Sequence, residues 1–368
     1  MPLQGLRRGG IQRCIWIIER RHRLYRTSRF GKKAKKIKEL ASIIQDYKVI
    51  SIIGNAKNAG KTTVLNHLIE ELKFGTLAIT SIGLDGEELD QITFLPKPRI
   101  SVYPGMLVLT ALSTLKMAFF EYVILKKIPV FTSLGQMVLI QANTEGKVLL
   151  AGPSSVHDMV ASMKYLELFL PEHLLIDGAF SRQSSANVAD AVIYCVGGGY
   201  SYDLDRVIEH SSQVNQLFSL RSLGNGYDFL KEINQIVYFT DDFTIHKIPM
   251  TSLLDEHHLF DLLPKETKSV YIPYALSDEF AKEWMKRKKE FSFKLILKSP
   301  SAIIVKEPTL KQLVKFTSDL SVLYPYNVIA VCMNPTSPYR VPFDKELMKK
   351  KLSEHIQLPI LNVLEEGE

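Results

Sequence analysis

The stretch Val49-Ile-Ser-Ile-Ile53-Gly54-Asn55-Ala56-Lys57-Asn58-Ala59-Gly60-Lys61-Thr62-Thr63 decides how this chain is read. Its first five residues form a short apolar run ending on a glycine, the pattern of a strand buried in a parallel sheet. Beyond the turn, Val64, Leu65, Leu68, Ile69 and Leu72 recur at helical spacing, and Gly75 ends the helix. A strand that feeds a helix through such a loop gathers backbone N–H groups and a helix N-terminus around one point. That arrangement favours a phosphate.

Gly54 to Thr63 therefore reads as a P-loop, since strand before and helix after are the context that motif requires. Lys61 is expected to bridge the β- and γ-phosphates, Thr62 to ligate Mg²⁺ and Thr63 to reach the α-phosphate. Gly60 lets the backbone approach the phosphates without a Cβ. The usual G-x-x-x-x-G-K-T spacing puts its first glycine where this chain has Asn55, with Gly54 one residue earlier. Asparagine tolerates positive φ, so the loop is expected to close at Asn55 by that route. Leu174-Leu-Ile-Asp177-Gly178 is the Walker B candidate: an apolar strand ending in a carboxylate at the nucleotide edge of the sheet. Asp85, Glu87, Glu88 and Asp90 follow the second strand, where one acid would hold Mg²⁺ through water and another would orient the attacking water. Asp85 comes first after the strand. The expected catalytic set is thus Lys61, Asp85 and Asp177, and the metal set Thr62, Asp85 and Asp177. Ser181 and Arg182 are further candidates to meet phosphate or a partner. In Ala151-Gly152-Pro153-Ser154-Ser155, one serine is expected to cap a helix whose N-terminus faces a ligand.

Outward from this stretch, strand-like runs recur at Leu77–Thr80, Val130–Ser133, Val138–Gln141, Val148–Ala151, Leu174–Ile176 and Ala191–Val196, the last closed by Gly197-Gly-Gly199. A helix is expected over Val156–Phe169. Alternation of this kind implies an α/β fold with a mostly parallel sheet. Past Leu223-Gly-Asn-Gly226 come strands at Ile236–Phe239, Phe293–Leu297, Ile303–Val305 and Val328–Val331. Helices are expected at Ser277–Glu290, Leu310–Leu323 and Lys345–His355. The expected organisation is a basic arm over 1–48, a nucleotide-binding domain over 49–225 and a second, smaller α/β domain over 226–368.

The chain has 368 residues, with 46 Lys+Arg against 39 Asp+Glu. Residues 1–48 hold 14 basic and three acidic residues, so they carry +11 and the remainder carries −4. The basic balance belongs to the arm, whose partner would be nucleic acid, an anionic surface or an acidic protein, unless it is only a solvated extension. A short helix near Ile37–Ile44 is expected to lead from it into the first strand. Cys14, Cys195 and Cys332 lie far apart in sequence, which suggests neither a disulfide framework nor a zinc site. No export signal is evident, and the longest apolar run, Met106–Leu125, is interrupted by Lys116 and Glu121. It reads as a buried core segment, with no transmembrane span and a cytoplasmic location expected.

Lys57-Asn-Ala-Gly60-Lys61-Thr62-Thr63 resembles the K-N-S-G-K-T-T loop of molybdopterin-guanine-dinucleotide accessory GTP-binding proteins. That places it nearer the signal-recognition, MinD and BioD NTPases than the RAS-like ones. Lys97-Pro98 is similar to the K-P step of dethiobiotin synthetases. Gly54–Thr63, Thr80-Ser-Ile-Gly-Leu-Asp85-Gly-Glu87, Lys97–Ile100, Ala151–Ser154, Ile176–Arg182 and Asn334-Pro-Thr-Ser-Pro338, in that order, resemble the nucleotide-binding subunit of the lysine 5,6-aminomutase and ornithine aminomutase reactivases. The likeness spans most of residues 49–340 and leaves out the basic arm. It implies an ATPase that acts as a reactivating chaperone, releasing damaged cobalamin from an adenosylcobalamin-dependent aminomutase. The implied cofactors are ATP (or GTP) and Mg²⁺, and the implied partners are a MutS-related second ATPase subunit and the aminomutase. The chain has no DxHxxG cobalamin pattern and no N/T-K-x-D guanine motif. A dethiobiotin-synthetase-like or kinase-like enzyme, and a nucleic-acid- or membrane-associated NTPase using the arm, are the alternatives.

Overall fold

A computed structural model of the chain describes residues 39–73, 75–82, 99–178, 183–241, 244–250, 256–336 and 342–362. The chain enters through α1 (Glu39–Ile44), then β1 (Val49–Gly54), α2 (Lys61–Leu72) and β2 (Leu77–Ser81). Five strands follow: β3 (Ile100–Val102), β4 (Leu107–Ala111), β5 (Tyr122–Thr132), β6 (Gly135–Ala142) and β7 (Gly146–Val148). Next come α3 (Val156–Leu166), β8 (His173–Asp177), β9 (Ala191–Gly197) and α4 (Leu204–Phe218). The remainder runs β10 (Arg221–Ser222), β11 (Ile236–Phe239), β12 (Ile245–Ile248), α5 (Glu256–Leu262), β13 (Ser269–Ile272), α6 (Asp278–Lys286) and β14 (Lys294–Leu297). It closes with α7 (Glu307–Leu313), β15 (Leu320–Val322), β16 (Val328–Asn334), α8 (Lys345–His355) and β17 (Ile360–Leu361).

The fold is α/β, with two large mixed sheets that are mostly parallel. A nine-stranded sheet has the order β17-β16-β9-β1-β8-β2-β4-β6-β5. It is parallel from β17 to β4, and β6 and β5 add an antiparallel edge. β1 lies inside it, between β8 and β9, as a run that is apolar except for Ser51 requires. Ile50 and Ile52 pack on Val64, Leu65, Leu68 and Ile69 of α2, whereas Ile53 on the opposite face joins Val207 and Phe218 of α4. β9 alternates the same way: Ile193 and Cys195 face α2, and Val192, Tyr194 and Val196 face α4 and α8. Each of the four α2 side chains contributes about 1.5–3 kcal/mol relative to exposure.

A six-stranded sheet has the order β10-β15-β14-β13-β11-β12. One face packs Val270, Ile272, Leu295 and Leu297 against Phe260, Phe280 and Trp284. The other carries Tyr271, Ile296 and Phe239 beneath Leu230 of a 3₁₀ segment.

Four expectations change. The second half does not stay apart after residue 226, because β16 and β17 return to the nine-stranded sheet. β16 is apolar on both faces, with Ala330 and Cys332 in one core and Val331 and Met333 in another, so it needs cover on both sides. The helix expected over Leu310–Leu323 stops at Leu313, passes through a 3₁₀ stretch with Phe316 out of helical conformation, and becomes β15. Ile303–Val305 is no strand; Ile303 makes only an isolated bridge to Leu276. Met106–Leu125 is not buried throughout: Leu107–Ala111 are, but Phe119, Val123 and Ile124 are exposed around the start of the edge strand β5. Lys126, Lys127, Pro129 and two breaks in register blunt that edge against further pairing. Among the described residues no helix is long and apolar enough to cross a membrane.

Candidate functional site

Gly54 to Thr63 joins the C-terminal end of β1 to the N-terminus of α2. Gly54 ends the strand; a Cβ there would lie 3.1 Å from the Ala59 Cβ and 3.2 Å from the Lys61 Cγ, so the loop folds tightly over it. The left-handed positions are Asn58, at φ 58, and Gly60, at φ 95. Asn55 is not one of them, which corrects the expected reason for its presence. What Asn55 supplies is its side chain, which is buried. Its backbone N–H donates to the Cys195 carbonyl at 2.9 Å, continuing the β1–β9 pairing one residue past the strand. Its Oδ1 accepts from the Gly197 N–H at 3.1 Å, and its Nδ2 donates to the Gly197 carbonyl at 3.5 Å and to Ser211 Oγ at 3.3 Å. A glycine at this position would make none of these side-chain bonds.

The Gly197-Gly-Gly199 run is the seat of the loop. A Cβ on Gly197 would fall 2.8 Å from the Ala59 Cα, and one on Gly199 would fall 2.0 Å from the Lys57 carbonyl oxygen. On the other side, Asn334 at the end of β16 donates from Nδ2 to the Asn58 carbonyl at 3.3 Å. Its Oδ1 accepts from Thr336 N–H and Oγ1. Ala56 and Ala59 are buried under the loop; Lys57 and Asn58 are exposed.

α2 starts without a side-chain cap, because its N-cap is Gly60, and no acid stands in its first turn. That turn is Lys61, Thr62 and Thr63. Its orphan N–H groups and the positive end of the helix dipole therefore stay uncompensated. The Lys61 ammonium closes across the loop onto the Ala56 carbonyl at 3.1 Å, adding a full positive charge there. Asp177 ends β8, in register with Ile52 of β1 and Ser81 of β2. Cys195, buried on β9, pairs with Gly54 at the end of β1. Burial pushes its thiol up to about 12, with Lys61 opposing the rise and Asp177 adding to it. Lys61, Thr62 and Thr63 at the start of α2 and Asp177 at the end of β8 thus lie at the C-terminal edge of adjacent parallel strands, where α/β sheets bind ligands.

Asp85, Glu87, Glu88, Asp90, Lys97, Ser181 and Arg182 lie outside the described residues. The expected ligand-facing N-terminus at Ser154–Ser155 is self-satisfied: Ser155 Oγ accepts from the Asp158 N–H at 3.0 Å and donates to its carboxylate at 2.8 Å. Among the described residues no group of three or more His, Cys, Asp and Glu side chains is arranged to hold a metal ion. Sequence reading missed Ser211, and it named Asn334 without a role; the Gly197–Gly199 run was the one local signal for the seat. No family model, curated protein or solved structure matches the chain.

Proposed function

We propose that the chain is a P-loop nucleoside triphosphatase that binds ATP (or GTP) with Mg²⁺ at the Gly54–Thr63 loop. The observation that carries this is the uncapped, acid-free N-terminus of α2 with Lys61 drawn across the loop, beside a strand ending in Asp177. The residues fit the group. Backbone N–H groups of the loop and of the first α2 turn would donate to phosphate oxygens, and Lys61 would neutralise their charge. Thr62 Oγ1 and Asp177 are oxygen donors of the type Mg²⁺ takes, since that ion keeps waters and phosphate oxygens in its shell and needs few protein ligands. Bound there, the metal would neutralise charge developing between the phosphates. Asn55 and Asn334 tie the loop to β9, α4 and β16. Among Asp85, Glu87, Glu88 and Asp90, one remains the candidate to hold Mg²⁺ through water and another to orient the attacking water.

The reactivase resemblance supports a specific role: a chaperone subunit that works with a MutS-related second ATPase on an adenosylcobalamin-dependent aminomutase. The basic arm favours a second reading, an NTPase that binds nucleic acid or another anionic surface. Steady-state hydrolysis of ATP and GTP separates them, run alone, with an aminomutase and its second subunit, and with nucleic acid. The chaperone role predicts stimulation by the aminomutase system; stimulation by nucleic acid alone, lost on deleting residues 1–47, would replace it.

A further inference from the structure

Asn55 uses its whole side-chain amide on Gly197 and on Ser211 of α4, and all of these groups are buried. Reshaping the loop at Asn55 must therefore move α4 or leave buried polar atoms without partners. α4 is a continuous helix of 15 residues, so motion at Ser211 is delivered to the rest of it. Its stripe at 206, 209 and 210 meets α7. Arg206 Nη2 pairs with Glu307 Oε2 at 3.0 Å, and Lys311 Nζ pairs with Glu209 Oε1 at 2.5 Å. His210 stacks on Tyr200, just past the glycine seat, with ring centroids 4.0 Å apart. Burial and then the Glu307 carboxylate push the Tyr200 phenol up to about 12.

α7 belongs to the other sheet. Leu313 is part of the Trp284 and Phe280 core, and the Lys306 N–H that leads into α7 donates to Asp278 of α6 at 2.7 Å. The opposite end of the loop has its own tie, because Asn334, bonded to the Asn58 carbonyl, ends β16, and only residues 323–327 separate β16 from β15 of the six-stranded sheet. The loop is thus held at Asn55 and at Asn58 by elements that lead into the six-stranded sheet.

We infer that α4 couples the Gly54–Thr63 loop to the six-stranded sheet, so that nucleotide occupancy is registered at α7. The inference rests on the nucleotide-binding reading and adds to it the route by which the site reports its state. α4 touches both sites, the loop through Ser211 and α7 through Arg206 and Glu209, which is the physical connection such coupling uses.

Hydrogen exchange on the full chain tests it, with and without a non-hydrolysable ATP analogue and Mg²⁺. The expected result is slowed exchange at 54–63 together with a change of about threefold or more at 307–313. On the surface, Glu307→Gln should keep the effect at 54–63 and lose the one at 307–313, and Ser211→Ala should also lose the one at 307–313. Changes confined to the loop in the wild type would overturn the coupling and leave nucleotide binding standing. No analogue binding would overturn both. A response at 307–313 that survives in Glu307→Gln and Ser211→Ala would overturn the α4 route.

Discussion

Two helices, α2 and α3, begin near the ends of parallel strands of the same sheet, and they begin in opposite ways. α3 brings its own cap: Ser155 takes the Asp158 N–H, and Asp158 puts a negative charge against the positive end of the dipole. α2 has Gly60 as its N-cap, no acid in its first turn and Lys61 as its first residue. α4, α6 and α8 follow the α3 pattern, capped by Asp203, Ser277 and Asp344 with acids in the first turn. Among the described α-helices of eight residues or more, α2 alone departs from it. The sheet edge supplies position to both α2 and α3, but the cap chemistry decides which one is left wanting an anion.

Lys61→Ala should have the largest effect on this contrast: nucleotide turnover falls about 10²–10³-fold, as for loss of one preorganised electrostatic contact. The thermal midpoint should barely move, because Lys61 is not part of either core; a large drop in that midpoint would give Lys61 a structural role instead. On the α3 side, Gly152 precedes the cap, and a Cβ there would sit 1.5 Å from the Ser81 carbonyl oxygen. Backbone cannot give way as a side chain does, so Gly152→Ala should cost about 3 kcal/mol or more in urea unfolding. A normal midpoint would show that the strand end moves freely. Ser155→Ala should cost about 1 kcal/mol and leave nucleotide affinity unchanged. An altered affinity would mean that the α3 terminus also serves the ligand.

The narrowest effect is a pH slope at α6. Burial pushes the Asp278 carboxyl up, but the Lys282 ammonium 2.6 Å away and the hydrogen bond from the Lys306 N–H oppose it, and the group comes to about 2, below its ordinary 3.8. A carboxyl whose folded value is depressed stabilises the fold above its unfolded value and loses that contribution as pH falls through its folded one. Denaturant midpoints should therefore decline between about pH 4 and pH 2, and Asp278→Asn should flatten that limb. An unchanged limb in the variant would assign the acid sensitivity to other carboxylates.

What the sequence made legible was local. The strand, loop and helix from Val49 to Leu72 carry their signals within two dozen residues: an apolar run, a glycine-bounded turn and a helical stripe. Asp177 was legible for the same reason, as an acid closing an apolar strand. What stayed hidden depends on distant partners. Asn55 is explained by Gly197 and Ser211, which are 142 and 156 residues away. β15 follows a helix-like stripe and becomes a strand only because β14 and β10 pair with it. The apolar residues of β5 looked like core because nothing in their order shows that the strand ends the sheet. β16 gave no local sign that its chain returns to the first sheet, since an apolar strand fits either.

The central claim is that the contrast between α2 and α3 marks a nucleotide site, and calorimetric titration of the full chain with ATP and with GTP in Mg²⁺ tests it most directly. The account predicts one nucleotide bound per chain and an affinity at least about tenfold weaker in Lys61→Ala, the loss of a charge-assisted contact to phosphate. Absence of binding by either nucleotide, or equal affinity in Lys61→Ala, would contradict it.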